Sequence, residues 1–204
     1  NCARERMGDL VAVGGISIDE KSLRPLEAAV NELCAEYGFP AGEVFKWSPG
    51  KDHWMRENLQ EERRVEFMQR ALTLAAEHGA SAQVTIADSS RSMATRKATN
   101  HEMDVLVMAL ERFDVSLAGT ELGMVIVARP SGGRKDEDEF LADCVEVVTR
   151  GTDYTQFGKV AMNVLTMPFP NSRLLQLADL VVSITTAMVA GHERFASPVF
   201  PNVR

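Results

Sequence analysis

The segment NSRLLQLADLVVSIT, residues 171–185, constrains the fold more than any other part of the sequence. Its spacing predicts a helix from Ser172 to about Ala190 that is apolar almost all the way round, and such a helix is usually buried. One carboxylate, Asp179, lies near its middle. An ionised carboxylate is among the side chains least often buried, unless it is paired or binds a metal. The surroundings of Asp179 are therefore the central question that this sequence poses.

Polar residues of the same helix follow one line. They are spaced four, three, four and three residues apart and fall on a narrow stripe of the helix surface: Ser172, Gln176, Asp179, Ser183 and Thr186. One interpretation is that the stripe faces a metal-binding cleft, with Asp179 as a ligand and with Gln176 and Ser172 near the substrate. The other is a solvent-facing stripe, or a buried aspartate satisfied by neighbouring hydrogen bonds.

The chain of 204 residues, 45% hydrophobic and 25% charged, has the composition of one globular domain, assigned to residues 1–204. Strands alternate with helices through its second half, which predicts an α/β fold with a largely parallel sheet. The apolar run LGMVIVA is typical of a strand buried on both faces. The patterns predict strands at 8–19, 82–88, 122–128 and 159–169, and helices at 22–38, 56–79, 99–117 and 172–190. They also predict a glycine loop entering a helix within 129–151, and an extended tail at 194–204.

The net charge and the cysteines limit the classes of function that are compatible with this sequence. The net charge of −7 argues against tight non-specific binding to nucleic acid, but not against a nuclease whose metal ions neutralise the substrate locally. Three cysteines without CxxC spacing predict neither a disulfide framework nor a zinc site, and they favour a reducing, cytoplasmic compartment. No charge-free run approaches the roughly 18 apolar residues of a membrane span, so we expect no membrane insertion.

Two further segments carry candidate site residues. In GEVFKWS, Glu43 is a candidate metal ligand and Lys46 a candidate for orienting phosphate; the alternative is a surface ion pair under an aromatic lid. Asp88 ends a predicted strand, where ligands of open α/β sheets gather, although an aspartate before SSRS is equally a turn former.

A glycine loop, RPSGGRK, lies between a predicted strand and a predicted helix. It lacks the GxxxxGK[ST] pattern of a P-loop, and the acids that follow it would repel the phosphates of ATP. Its cations Arg129, Arg134 and Lys135 are candidates for contact with a polyanionic substrate. The alternative interpretation is a solvated turn.

Taken together, GEVFKWS, VIVARPSGGRKDEDEFL, GTDYTQF and NSRLLQLADLVVS resemble the domain-of-unknown-function family numbered 3800, with LLQLADLV as the most specific element. The resemblance implies a ribonuclease H-like mixed sheet flanked by helices, and a nuclease that uses Mg²⁺ or Mn²⁺. It also implies nucleic acid as a partner, and a second copy of the chain is a further candidate. Glu43 with Lys46 matches the family's Glu-x-Lys segment, and Asp179 with Gln176 matches its Gln-x-Ala-Asp helix.

Two departures from the family pattern predict impaired chemistry. No Asp-Glu-Ser-Gly strand is present, and four strands are predicted where the fold has five; we expect the first strand, with one acid, to lie upstream of Asn1. The central strand ends in Ala128, where the pattern has an aspartate. We therefore expect weak metal binding and little turnover. The alternatives are a non-catalytic module that binds nucleic acid or protein, or a hydrolase of small phosphorylated molecules.

Overall fold

The computed structural model describes residues 8–91 and 101–203, and it confirms a mixed α/β architecture. Its strands are β1 (Leu10–Ser17), β2 (Ser81–Asp88), β3 (Ile126–Ala128) and β4 (Leu165–Met167). Its helices are α1 (Glu20–Glu36), α2 (Trp54–Asn58), α3 (Glu61–Glu77), α4 (His101–Ser116), α5 (Arg134–Arg150), α6 (Arg173–Val189) and α7 (Glu193–Ala196). Short 3₁₀ turns occupy Ser89–Arg91, Phe169–Asn171 and Phe200–Val203. No helix within these ranges is long and apolar enough to cross a membrane.

The described strands form two separate two-stranded sheets. Strands β1 and β2 pair antiparallel along their whole length, with Leu10 opposite Asp88, whereas β3 and β4 pair parallel. The expectation of a largely parallel sheet is therefore wrong for the first pair. Gly14 of β1 allows a close approach of β2, because a Cβ at this position would lie 2.2 Å from the carbonyl oxygen of Gln83.

Helix α6 is the centre of the larger core. It packs against β1 and β2 and against the helices α1 and α3, which explains why it is apolar almost all round. Its residues Leu177, Leu180 and Ile184 are fully buried. The prediction of a buried helix is confirmed, and its bounds differ by one residue at each end.

A smaller core lies between α4, α5 and the segment before β4. Its buried members are Leu106, Leu110, Cys144, Phe157, Val160 and Val164. Val13 of β1 and Val127 of β3 both pack against this cluster, so the two sheets border the same apolar region. Strand β1 pairs only with β2 and β3 only with β4 among the described residues, which leaves one edge of each strand unpaired. Every residue of β1 remains partly exposed, although α4 and α6 both pack against it.

Several predicted boundaries are wrong, for identifiable reasons. The helix predicted at 56–79 is divided into α2 and α3 because Leu59 turns into the core, where it is only 1% exposed, and adopts an extended conformation. The strand predicted at 122–128 is not buried on both faces: it is reduced to β3, and Ile126 is 41% exposed. The strand predicted at 159–169 is similarly reduced to β4.

The tail predicted as extended is also wrong. It forms α7 and the final 3₁₀ turn, because Ala196 and Val199 are completely buried against the larger core. The helix predicted at 99–117 is described from His101 to Ser116; residues 99 and 100 lie outside the described ranges, as does the region upstream of residue 8.

Candidate functional site

The loop of residues 39–53 lies against the N-terminal half of α6, and a buried amide joins the two. Gln176 is fully buried, and its Oε1 accepts hydrogen bonds from the backbone N–H of Phe45 at 3.2 Å and from Nη1 of Arg173 at 2.8 Å. Phe45 itself is buried in the larger core. The structure thus brings the segment that carries Glu43 and Lys46 to the helix that carries Asp179. Gln176 contacts the loop, and its Nε2 has no hydrogen-bond partner.

Arg173 also joins the loop to α6, and it was not among the residues predicted from the sequence. Its Nη1 also donates to the carbonyl oxygen of Glu43 at 2.7 Å, and its Nε donates to Oδ1 of Asn31 at 2.9 Å. Its backbone N–H donates to Oε1 of Glu27 at 2.9 Å. Arg173 therefore fixes the loop and α1 to the start of α6. Its position three residues before Gln176, on the same face of the helix, was the only available signal.

Asp179 is partly buried beside the same loop. Loss of solvent raises the pKa of its carboxyl group above the ordinary value, and the raising outweighs a hydrogen bond with the backbone of Trp47 and the attraction of Lys46. The Nζ atom of Lys46 lies 5.0 Å from the ring centroid of Phe169. Asp179 therefore faces residues 46 and 47 rather than open solvent, and its surroundings disfavour the charged form.

Glu43 lies opposite a histidine. Its Oε1 is 3.5 Å from Nε2 of His53, and the side chains are 29% and 14% exposed, respectively. Within the described residues Glu43 forms no ion pair with Lys46, so the two do not make the surface pair considered above. His53 was not among the candidate residues predicted from the sequence.

Ser172 is the N-cap of α6. Its Oγ accepts from the backbone N–H groups of Leu174 at 3.2 Å and Leu175 at 3.4 Å. This geometry is that of a helix cap, a position where serine is strongly preferred. Ser172 therefore has a structural function that the pattern of the polar stripe did not predict.

Asp88 lies far from this region. Its Oδ1 accepts from the backbone N–H of Ser90 at 3.0 Å, and it lines a surface hollow with Val189 at the C-terminal end of α6. Asp179 precedes Val189 by ten residues, which corresponds to about 15 Å along the helix. The structure therefore does not bring Asp88 together with Asp179. Its hydrogen bond to Ser90 is that of a turn-forming aspartate.

Ala128 lies at the carboxyl end of β3, opposite Met167 of β4, and is exposed. Two residues after Met167, the ring of Phe169 meets Lys46. Phe169 follows Met167 by two residues, a span of at most about 7 Å of extended chain. Met167 and Phe169 therefore connect the end of β3 to the side chain of Lys46.

The cations of the glycine loop are each engaged with an acid of α5. Nε of Arg129 lies 3.0 Å from Oε1 of Glu137, which also accepts from the hydroxyl of Thr166. Arg134 and Lys135 are exposed and pair with the acids four residues further on, at 3.7 Å and 3.6 Å. This arrangement is a solvated turn with neutralised charges, and it does not form a basic groove beside Asp179.

The donor atoms of the site are too few for a complete metal centre. Glu43 and Asp179 supply two carboxylates, and in the part of the chain that the structure describes no three acidic, histidine or cysteine side chains converge to hold an ion. Divalent ions such as Mg²⁺ prefer several oxygen ligands, and a two-metal site needs carboxylates from several elements. The described residues therefore do not fit a complete two-metal centre.

No family model, no curated protein and no solved structure matches this chain. The resemblance to the family numbered 3800 therefore depends on the short motifs alone. One motif departs further from the pattern than the spacing first indicated: Glu43 stands three residues before Lys46, so Val44 occupies the glutamate position of Glu-x-Lys. Glu43 is thus a candidate by its contacts rather than by strict alignment.

Proposed function

We propose that this chain is a ribonuclease H-like, divalent-metal-dependent phosphodiesterase of nucleic acid whose metal site is incomplete within the described residues 8–91 and 101–203. The observation that carries the proposal is Asp179: a partly buried carboxylate of raised pKa, on an otherwise apolar helix, against the loop of Glu43 and Lys46. Carboxylates with perturbed pKa values are concentrated at functional sites.

Different residues of this chain would have different functions at such a site. Glu43 and Asp179 are the carboxylates that would hold Mg²⁺ or Mn²⁺, the ions that supply an activated water and stabilise charge on phosphate when bound. Lys46 places a positive charge beside Asp179 that attracts an anionic phosphate. Gln176 and Arg173 hold the loop in place. The position occupied by Ala128 is where a further ligand is missing.

The same proposal extends to the fold. The antiparallel pair β1–β2 and the parallel pair β3–β4 correspond to the two sides of a ribonuclease H-like sheet, and a fifth strand between β1 and β3 would join them. Two observations support this arrangement: β1 and β3 border one apolar cluster through Val13 and Val127, and both have an unpaired edge. Unpaired backbone groups at an edge are a ready template for another strand.

The experiment that tests the function is calorimetric titration of Mn²⁺ into four chains: the unmodified chain, Ala128→Asp, Ala128→Asn, and Ala128→Asp combined with Asp179→Asn. We expect micromolar binding by Ala128→Asp alone, because it adds a carboxylate at the position where the family pattern has an aspartate. Ala128→Asn is the matched control of the same size without charge. Equal affinity of Ala128→Asp and Ala128→Asn, or binding that survives Asp179→Asn, contradicts the proposal. Hydrolysis of RNA and DNA, each single- and double-stranded, is then assayed with the variant that binds.

A second candidate is a non-catalytic module of the same fold that binds nucleic acid or protein. Ala128 favours it, because the exposed end of β3 has no acid. Salt-dependent binding of nucleic acid by the unmodified chain, without Mn²⁺ binding by Ala128→Asp, supports this module. A hydrolase of small phosphorylated molecules stays a prediction, and the same hydrolysis assay with nucleotides tests it.

A further inference from the structure

Strand β2 has an outer edge that pairs with no other described strand. The backbone N–H of Ser89 donates to the carbonyl oxygen of Asp9 at 2.9 Å, and this pair continues the β1–β2 register by one position. In an antiparallel ladder such hydrogen-bonded positions alternate with positions whose backbone groups point to the outer edges. The N–H and C=O groups of Ala82, Val84 and Ile86 therefore point away from β1.

These outward-directed groups have no hydrogen-bond partner among residues 8–91 and 101–203. Helices cover the two faces of the strand instead. The side chain of Gln83 donates to the carbonyl oxygen of Ala109 in α4 at 2.8 Å, whereas the next residue, Val84, packs against the larger core around α6. Successive strand residues point to opposite faces, so β2 is covered on both faces and open at its edge.

The outer edge of β2 is the edge best suited to pairing with another chain. Strand β2 has eight residues, whereas β3 and β4 have three each. The open edge of β1 is turned toward the apolar cluster that it shares with β3. Residues 81–87 of β2 include no charged residue and no proline, the residues that commonly protect an edge strand from pairing.

Exposed apolar side chains flank this edge. Met108 and Val115 of α4 are 39% and 72% exposed, and they lie on one side of the helix because they are about two turns apart. Leu106 and Leu110 point from roughly the opposite side of α4 into the smaller core, toward β3. Met108 and Val115 therefore lie on the flank of α4 that is nearer to the outer edge of β2.

We propose that the outer edge of β2 binds β2 of a second copy of this chain, antiparallel and about a two-fold axis. With Val84 on the axis, Ala82 of each copy lies opposite Ile86 of the other, and outward donors meet outward acceptors. No like charges face each other, because residues 81–87 carry none. The β1–β2 pairs of the two copies then form one continuous sheet, with Met108 and Val115 beside the junction. This interface is separate from the proposed metal site.

Sedimentation velocity in the presence of a chelator tests the proposal over a range of protein concentrations. Ala82→Pro removes an outward N–H without removing a hydrogen bond to β1, and Ala82→Ser is the matched control that keeps this N–H. We expect Ala82→Ser to dimerise like the unmodified chain. We expect Ala82→Pro to dimerise about 10-fold or more weakly, because the two-fold axis removes the hydrogen bond twice. Equal dimerisation of all three chains, or a monomer at every concentration, overturns the proposal.

Amide hydrogen exchange of the unmodified chain decides the question even where Ala82→Pro fails to fold. We expect the amides of Ala82, Val84 and Ile86 to become more protected as the protein concentration rises. The amides of Met124 and Ile126, beside and within β3, are the internal control and should not change. A dimer in which the β2 amides exchange as fast as in the monomer overturns the proposal. Protection that is independent of concentration also overturns it, because the edge is then covered within one chain.

Discussion

Replacing Asp179 with asparagine is the most direct test of why a carboxylate lies on an apolar helix. Burial raises the pKa of this carboxyl group, so the folded protein binds its proton more tightly than the unfolded chain does. Between the ordinary aspartate value, near 3.9, and the raised value, the folded state holds more protons than the unfolded state. The free energy of unfolding therefore falls as the pH rises through this interval, and the loss is complete above it.

The sign of the change in stability depends on which interactions of Asp179 asparagine retains. It has nearly the same shape, and its amide oxygen can still accept from the backbone of Trp47, but it carries no charge to desolvate. It loses the attraction of Lys46, which is weaker than the desolvation. The pKa of Asp179 is raised, so we expect Asp179→Asn to be the more stable protein at neutral pH. In a domain of this size each 1 kcal/mol of added stability corresponds to a rise in Tm of about 2–4 °C.

Urea unfolding in the presence of a chelator measures this difference. At neutral pH we expect Asp179→Asn to be the more stable protein, and the difference to shrink as the pH is lowered toward the ordinary aspartate value. Asp138→Asn is the matched control, because Asp138 is an exposed acid of α5 and its replacement should change stability by less than about 0.5 kcal/mol. Asp179→Asn that is less stable than the unmodified chain by about 1 kcal/mol or more at neutral pH refutes the reasoning and makes Asp179 a structural partner of Lys46.

Two further substitutions test how the site is assembled. Gln176→Leu leaves the buried N–H of Phe45 without an acceptor, so we expect a loss of about 1–3 kcal/mol in urea unfolding; a stability equal to that of the unmodified chain would show that the amide does not hold the loop. Ser172→Ala removes the cap of α6 and should cost about 1 kcal/mol, whereas Ser172→Asp should retain the stability. If Ser172→Ala instead leaves stability unchanged and weakens substrate binding, the hydroxyl contacts substrate as the sequence predicted.

Local patterns predicted the parts of the fold that are governed by neighbouring residues. The periodicity of residues 172–190 predicted α6 to within one residue at each end, because a helix that is buried on most sides has apolar residues on most of its faces. The position of Asp179 was conspicuous for the same reason. Its placement beside Lys46 followed from no pattern.

Contacts between distant segments could not be predicted from single motifs. Arg173 and Glu43 are 130 residues apart, and nothing in either motif indicates that the guanidinium binds that carbonyl. His53 has no spacing that distinguishes it from the other histidines. The antiparallel pairing of β1 with β2 joins strands separated by three helices, and alternation within a strand does not specify the direction of its partner.

Apolar runs were misjudged where tertiary context decided their conformation. LGMVIVA has the composition of a central strand, yet it pairs with β4 only along Ile126–Ala128, and Gly123 forms an isolated bridge with Val160. The tail contains two prolines and was predicted as extended, but burial of Ala196 and Val199 against the larger core favours short helical turns. In both cases the available partner, not the intrinsic preference, determined the structure.

In the proposed fold, one further strand between β1 and β3 would explain both the unpaired edges of these strands and the missing metal ligand. A strand between β1 and β3 would hydrogen-bond to both open edges and cover the partly exposed residues of β1. It would also run beside β3, whose last residue is Ala128, the position where the family pattern has an aspartate. Supplying that strand should then raise stability and metal affinity together. Ala128→Asp, which adds a carboxylate but no backbone partner, should raise the affinity alone.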